Sequence, residues 1–218
     1  MKTALLFGAS GLVGSHVLNQ LISNNNYSKI KLFVRSTIDV NDHKIEIIQT
    51  DFKNLENHRE DIKGDDCFFC IGTTKKNSPD KNEYKRVELE VPKQIAQIAK
   101  SNSVNSFVFV SSGYADAKSS GDYLKFKGEV EEELKSLNFP KLGIMRPSFL
   151  LGDREEKRVS EKIGIFIFKF LSPLFIGPLK KMKPIHSEKV AKAMLKICKD
   201  EDQQVVFESN EIVELAKN

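Results

Sequence analysis

The sequence predicts a three-layer α/β protein in which helices cover both faces of a doubly wound, mostly parallel sheet. Runs rich in Val, Ile, Phe and Leu alternate with longer segments of helical spacing, the pattern of successive β–α–β units. A glycine-rich loop joins the first apolar run to the first helical segment. No linker interrupts the 218 residues, so we expect one domain over residues 1–218.

The first third of the chain predicts four strands and one helix. The opening strand at 2–7 is a continuous apolar run after Lys2 and Thr3, as expected for a strand buried on both faces. The helix at 12–23 places Val13, Val17 and Leu21 at helical spacing. Three further short apolar runs predict strands at 29–34, 45–49 and 66–71.

The rest of the chain predicts two further strands and four helices. The helix at 87–100 has a buried face formed by Val91, Ile95 and Ile98, and a strand at 106–110 follows it. A charged helix at 123–137 leads to a strand at 141–145. Apolar segments at 163–176 and 186–198 predict two more helices, the first broken near Pro173.

Composition excludes several functional classes. A hydrophobic content of 40% is ordinary for a globular protein, and a net charge of +4 without a basic block gives no sign of nucleic acid binding. Lys169 interrupts the longest apolar stretch, so we expect no membrane span. The four histidines are far apart, so no metal site is expected. Three cysteines and the absence of a recognisable signal peptide predict a reduced, cytoplasmic protein.

The glycine loop at residues 8–14 predicts a dinucleotide site. Gly8 permits a tight turn from strand to helix, Gly11 lets the backbone approach a pyrophosphate, and Gly14 allows the helix to pack closely on the strand. Backbone N–H groups at the start of the helix then face the phosphates. The residues expected to contact the cofactor here are Gly8, Ser10, Gly11, Leu12, Val13 and Gly14.

The end of the second strand predicts which dinucleotide binds. A carboxylate at this place binds a ribose 2′-hydroxyl, whereas a cation accommodates a 2′-phosphate. The chain has Arg35 followed by Ser36, with no acid before Asp39, so NADPH is predicted in preference to NADH. A solvent-facing arginine with no such role is the alternative interpretation.

Two further loops are candidates for contact with the cofactor. Asp51 and Phe52 follow the third strand, where Asp51 would either accept a hydrogen bond from the adenine amino group or cap a helix. Gly72, Thr73 and Thr74 follow the fourth strand and would bring backbone close to the ribose and the pyrophosphate.

Tyr123 and Lys127 are the predicted catalytic pair. Residues four apart share one helix face, where an ammonium favours the phenolate and the tyrosine can exchange a proton with a substrate oxygen. Tyr27 and Tyr114 also have a lysine four residues later, so the spacing alone selects nothing. Position selects Tyr123, because it begins a long helix after the fifth strand. Ser112, or alternatively Ser111, would polarise the substrate carbonyl.

These motifs resemble those of the short-chain dehydrogenase/reductase superfamily, in its extended or atypical branch. The block Tyr-Leu-Lys-Phe-Lys-Gly-Glu-Val-Glu from Tyr123 and the block Arg-Pro-Ser-Phe-Leu-Leu-Gly-Asp-Arg from Arg146 are similar to those of the Tat-interacting oxidoreductase-like proteins. The resemblance implies a Rossmann fold with strand order 3-2-1-4-5-6-7. It also implies cofactor contacts from Tyr123, Lys127 and the backbone after Arg146 and Pro147, and a substrate pocket formed by residues 148–186.

Two departures from the family pattern leave two functions open. Cys70-Ile71-Gly72 replaces the common Asn-Ala-Gly, and Glu88 stands where an asparagine of the catalytic tetrad would be sought. The leading hypothesis is an NADPH-dependent oxidoreductase, monomer or homodimer, acting on a small carbonyl or alcohol. The alternative is a catalytically weak module that senses NADPH and binds protein partners. A sugar-nucleotide epimerase is disfavoured, because that branch carries a longer C-terminal region.

Overall fold

A parallel sheet forms the centre of the protein. The computed structural model describes residues 1–151, 183–199 and 204–217. Within these residues seven strands form one sheet: β1 (Lys2–Phe7), β2 (Tyr27–Val34), β3 (Ile45–Gln49), β4 (Asp66–Phe69), β5 (Ser106–Val110), β6 (Lys141–Arg146) and β9 (Val206–Glu208). Their order in the sheet is β3-β2-β1-β4-β5-β6-β9, and every neighbouring pair is parallel.

Helices lie on both sides of this sheet, as the doubly wound prediction requires. The described helices are α1 (Leu12–Ser23), α2 (Lys81–Lys85), α3 (Val91–Ser101), α4 (Asp122–Ser136), α5 (Ser187–Ile197) and α6 (Ser209–Leu215). A 3₁₀ helix covers Leu55–His58, and a π-helical turn at Arg86–Glu90 joins α2 to α3. Two short strands, β7 (Leu150–Leu151) and β8 (Ile185–His186), pair in parallel outside the main sheet.

The predicted fold class and strand order are confirmed, with the seventh position filled by β9. The predicted bounds of β1, α1, β3 and β5 agree with the structure. The largest difference concerns the helix expected at 87–100, because helical backbone already begins at Lys81 and passes through the π-turn. The segment predicted as a helix at 163–176 lies outside the described residues.

Two hydrophobic clusters hold the described layers together. On one face of the sheet, α1 and α5 contribute side chains such as Val17, Leu21 and Met194. On the other face, α3 and α4 contribute side chains such as Ile95 and Leu134. Because the strands of this sheet are all parallel, their carboxyl ends lie along one edge, where ligands of open α/β sheets bind.

Two kinds of feature are absent from the described part of the chain. No helix there is both long enough and apolar enough to span a bilayer. No group of three or more His, Cys, Asp or Glu side chains there is arranged to hold a metal ion.

Candidate functional site

The glycine loop forms a tight junction between β1 and α1. Gly8 has φ +88°, and a Cβ at this position would lie 2.8 Å from the carbonyl carbon of Cys70. A Cβ on Gly14 would lie 2.0 Å from the Gly8 oxygen, so α1 can pack this closely against the loop only because residue 14 is a glycine. Among the described residues no side chain caps the start of α1, and its first turn carries no acid. The exposed helix start is therefore suited to an anion such as a diphosphate.

A cavity of about 210 Å³ opens beside this loop, between the carboxyl ends of β1, β2 and β4. Its lining brings together segments that are distant in sequence but were each predicted to contact a cofactor. The predicted residues that line it are Gly8, Ser10, Gly11, Arg35, Ser36, Phe52, Gly72 and Thr73. Leu12, Val13 and Gly14 form the first turn of α1 beside the cavity, while Asp51 and Thr74 lie in the adjoining loops.

Arg86 also lines the cavity and was missed by the sequence analysis. Its guanidinium is held by the Glu83 carboxylate through two hydrogen bonds of 2.8 and 2.7 Å, and it donates a third, of 2.8 Å, to the Phe52 carbonyl oxygen. The hydrogen bonds from Arg86 lower the pKa of Glu83, and the charges of Lys53 and Arg35 add to this effect. The side chains of Arg35, Lys53 and Arg86 thus lie around the carboxylate of Glu83, near the end of the cavity that Arg35 borders. A single arginine in a charged helix gave no sequence signal for this.

The turn after β3 excludes one of the two interpretations of Asp51. Its Oδ1 accepts a hydrogen bond of 2.9 Å from the Lys53 N–H, whereas the N-cap of the next helical segment is Asn54. The interpretation of Asp51 as a helix cap is therefore wrong. Phe52 has φ +59° and is buried, and its ring lines the cavity.

Tyr123 lies in the first turn of α4 and is 38% exposed, whereas Lys127 one turn later is buried. The Lys127 Nζ lies 5.9 Å from the centre of the Tyr123 ring and 4.9 Å from that of Phe109. It also donates a hydrogen bond of 3.4 Å to the Val110 carbonyl at the end of β5. The predicted pair therefore shares one helix face, with the phenol open to solvent.

Glu88 is the buried counter-ion of Lys127. Its Oε2 lies 3.0 Å from the lysine Nζ, and the two side chains are 0% and 4% exposed. Its other oxygen, Oε1, accepts the Thr73 N–H in the loop after β4. Burial by itself lowers the pKa of Lys127, but the charge of Glu88, aided by Tyr123 and Glu131, outweighs burial and raises the pKa above its usual value. The lysine is therefore held as an ammonium.

The two serines at the end of β5 have different surroundings. The buried Ser111 hydroxyl donates a hydrogen bond of 2.6 Å to Glu131, which also pairs with Arg146 at 2.6 Å. Ser112 is partly exposed, and its hydroxyl makes a long contact of 3.3 Å with the Gly113 carbonyl. Ser112 is thus the better placed of the two to meet a substrate.

Arg146 and Pro147 hold the end of β6 against the serine turn. The Arg146 guanidinium donates to Glu131 and to the Ala115 carbonyl, so its side chain is engaged within the protein. The Pro147 carbonyl accepts the Gly113 N–H at 2.9 Å. These contacts make Arg146 a structural residue of the site.

The other two tyrosines with a lysine four residues later lie elsewhere. Tyr27 is buried at the amino end of β2, where its hydroxyl donates a hydrogen bond of 2.7 Å to Asp66. Burial, with nearby Cys198 and Asp66, raises its pKa far above the usual value. Tyr114 has φ +65° and lies in a loop. Of the three pairs, only Tyr123 and Lys127 lie together on a helix.

The region expected to bind substrate, residues 148–186, is described only at its two ends, because residues 152–182 lie outside the described chain. At those ends the Ser148 hydroxyl donates to the Lys183 carbonyl at 2.6 Å, and β7 pairs with β8. Phe149 beside this junction is 70% exposed.

Known proteins resemble this chain in sequence and in fold. A family model described as NAD(P)H-binding matches residues 8–201. Protein FMP52-1, mitochondrial, of Scheffersomyces stipitis is 31% identical, over 99% of both chains. Protein HTATIP2 of Rattus norvegicus is 32% identical, over 73% of this chain and 67% of its own. The Bordetella bronchiseptica enzyme WbmH, solved in complex with NAD+, is similar in fold, with TM-score 0.69 and 18% identity over 100% of this chain and 79% of its own.

The relatives correct one prediction. FMP52 proteins that match this chain, including that of Debaryomyces hansenii, are named mitochondrial proteins. The predicted cytoplasmic location is therefore wrong. A low cysteine count and the lack of a recognisable leader are a weak basis for assigning a compartment.

Proposed function

Because the chain belongs to the NAD(P)H-binding family, with HTATIP2 and FMP52 proteins as relatives, we propose that it is an NADPH-dependent oxidoreductase acting on a small carbonyl or hydroxyl substrate. The observation that carries this proposal is Tyr123, an open phenol one helical turn from the buried ammonium of Lys127. We further propose that residues 1–218 form one domain, with the substrate pocket in residues 148–186.

The residues around the cavity fit a dinucleotide. The uncapped start of α1 would hold the diphosphate, since its amides point outward and no acid in its first turn repels a phosphate. Phe52 would lie beside the adenine, and the loop from Gly72 would lie beside the ribose. When bound, the cofactor supplies or accepts the hydride.

Residues of the chain would transfer the proton to and from the substrate oxygen. In the reducing direction the Tyr123 hydroxyl would donate its proton to the substrate carbonyl oxygen, and the Lys127 ammonium would stabilise the resulting phenolate. The Ser112 hydroxyl would donate a hydrogen bond to the same substrate oxygen and hold it in place. In the oxidising direction the phenolate would accept the proton from the alcohol.

The preference for NADPH rests on Arg35. Its exposed guanidinium follows β2 directly, and Ser36 adds a hydroxyl donor, so the pair suits a 2′-phosphate rather than a free 2′-hydroxyl. Titration of the purified protein with NADPH and with NADH tests the proposal. We expect NADPH to bind at least about tenfold more tightly, and equal dissociation constants would remove the assignment.

The catalytic proposal is tested by turnover. Wild-type protein and Tyr123→Phe are compared for NADPH oxidation over a panel of aldehydes and ketones, with NADPH affinity measured in parallel. We expect the variant to bind cofactor but lose at least about a hundredfold in rate, since general acid catalysis contributes that much. Equal turnover by the two proteins, or no turnover by wild type, would contradict the proposal.

The sensing module remains the second candidate function, and Glu88 favours it. A carboxylate paired with Lys127 replaces the asparagine found in typical members, which changes the proton path of the family. Affinity capture of partners with and without NADPH separates the two functions. A set of partners that does not change with cofactor would speak against sensing.

A further inference from the structure

Glu88 contacts two parts of the candidate site at once. One carboxylate oxygen pairs with the Lys127 ammonium at 3.0 Å, and the other accepts the Thr73 N–H. The side chain is fully buried. A single residue from one helical segment therefore joins the catalytic helix α4 to the loop that borders the cavity.

The backbone places this carboxylate through an irregular turn. Glu88 is the third residue of the π-helical turn Arg86–Glu90, which is inserted between α2 and α3. Such π-turns interrupt the regular hydrogen bonds of an α-helix and are frequent at functional sites. The same turn begins with Arg86, whose side chain faces the cavity.

We propose that Glu88 is a positioning residue that holds the Lys127 ammonium beside Tyr123 and ties it to the loop after β4. The proposal deepens the proposed function and rests on it, since it gives Lys127 a role towards the cofactor ribose and the phenol. A purely structural role explains the pair less well, because apolar side chains of similar volume replace buried ion pairs at little or no cost in stability.

The groups facing Lys127 make this role specific to Glu88. From α4 they are Tyr123 and Glu131, and from the strand end it is Cys70. Burial raises the pKa of the Cys70 thiol, so it stays uncharged. Glu131 is engaged with Arg146 and Ser111. Tyr84, which faces Glu88 from α2, is also uncharged at neutral pH, since burial raises its pKa to about 12.

Removal of the carboxylate charge should therefore make Lys127 sensitive to pH. In Glu88→Gln the burial of the lysine is no longer offset by its main counter-ion, so the lysine pKa falls below its usual value. The neutral amine loses the positive charge that the cofactor site and the phenol require. The wild-type ammonium persists across the neutral and mildly alkaline range.

The first experiment measures the NADPH dissociation constant from about pH 7 to about pH 9.5, above the range where the 2′-phosphate itself titrates. We expect wild type to change by less than about twofold, and Glu88→Gln to bind about tenfold more weakly at the alkaline end. The double variant Glu88→Gln/Lys127→Met should bind weakly at every pH, without a slope. The matched control is Glu90→Gln. Glu90 lies two residues after Glu88, and its exposed carboxylate pairs with Lys85, so this variant should follow wild type.

The second experiment needs no cofactor. Urea unfolding of Glu88→Gln should show stability rising relative to wild type as pH increases towards about 10, because the folded lysine releases its proton before the unfolded one. The double variant should lack this trend. A flat difference between Glu88→Gln and wild type would overturn the proposal, as would NADPH binding with the wild-type pH profile. Failure of wild type to bind NADPH, with the unfolding trend present, would instead refute the proposed function.

Discussion

Replacement of Arg146 by methionine should destabilise the protein strongly, because it removes the main cation of a buried carboxylate. Glu131 is 1% exposed and receives two hydrogen bonds from Arg146, of 2.9 and 2.6 Å. Breaking a buried ion pair from one side costs about 3 to 5 kcal/mol. Arg146 is itself 21% exposed, and Ser111 and Lys135, the latter at 3.9 Å, would remain partners of Glu131, so we expect the lower end, about 3 kcal/mol.

A double-mutant cycle measures the coupling energy between Arg146 and Glu131. Glu131→Gln should cost about 1.5 kcal/mol, since it keeps an acceptor and Arg146 retains Glu208 at 3.4 Å. The double variant should cost about 2 kcal/mol, because neither charge is left unpaired, which gives a coupling energy of about 2.5 kcal/mol. Urea unfolding followed by circular dichroism supplies the free energies, provided that the m-value is unchanged.

The exposed pair Arg59 and Glu56 provides the control. Its side chains are 42% and 69% exposed although the atoms are only 2.8 Å apart. The same cycle on this pair should give a coupling energy below about 1 kcal/mol. The reasoning from burial is refuted if the two cycles return equal coupling energies.

Three further predictions concern the cofactor loop, the nucleotide and the alkaline limit. Gly8→Ala should lower the free energy of unfolding by at least about 2 kcal/mol, through its positive φ and a Cβ 2.8 Å from neighbouring backbone. Gly72→Ala should cost under about 0.5 kcal/mol in the same urea assay, because its Cβ would make only an ordinary contact of 3.6 Å with the Glu88 Oε1. In binding titrations Arg35→Ala should lower the affinity for NADPH about tenfold and leave the affinity for NADH unchanged. The control variant Arg59→Ala should change neither affinity. An equal loss of affinity for both nucleotides would contradict the 2′-phosphate assignment. The folded pKa of Lys127 is raised, so its stabilising contribution is complete below the unfolded lysine value of about 10.4 and is lost above it. Lys127→Met should therefore unfold with a shallower alkaline limb than wild type, and identical limbs would contradict the pairing.

Much of the sheet was predictable because its signals are local. The strand and helix on either side of the glycine loop were predicted with the observed bounds, since apolar run length and helical spacing are properties of neighbouring residues. The resemblance implied a seventh strand, but the residues of β9 were not assigned, because Val206–Glu208 is only three residues long and becomes a strand by pairing with β6, more than fifty residues away. Helical backbone from Lys81 was also missed, since that segment is polar and shows no apolar periodicity.

The candidate site divides in the same way. The segment from Gly8 to Gly14 predicts a phosphate-binding loop from local sequence. The tight turn, the glycine that lets backbone approach a phosphate, and the start of the helix all lie within these consecutive residues. The choice of Tyr123 over Tyr27 and Tyr114 needed only the order of elements along the chain. The helix-cap interpretation of Asp51 was wrong, because its carboxylate accepts a hydrogen bond from the backbone two residues later. The contact of Asp51 with the adenine amino group stays a prediction.

By itself the sequence determined that this chain is a doubly wound α/β protein with a dinucleotide loop and a tyrosine–lysine pair, since these depend on periodicity and spacing within short stretches. Only the tertiary structure decided that Arg86 faces the cavity and that Glu88 is the counter-ion of Lys127. Both depend on an irregular helical turn packing against distant strands and on the burial that follows. Burial decides whether a charge must find a partner, and no local pattern encodes it.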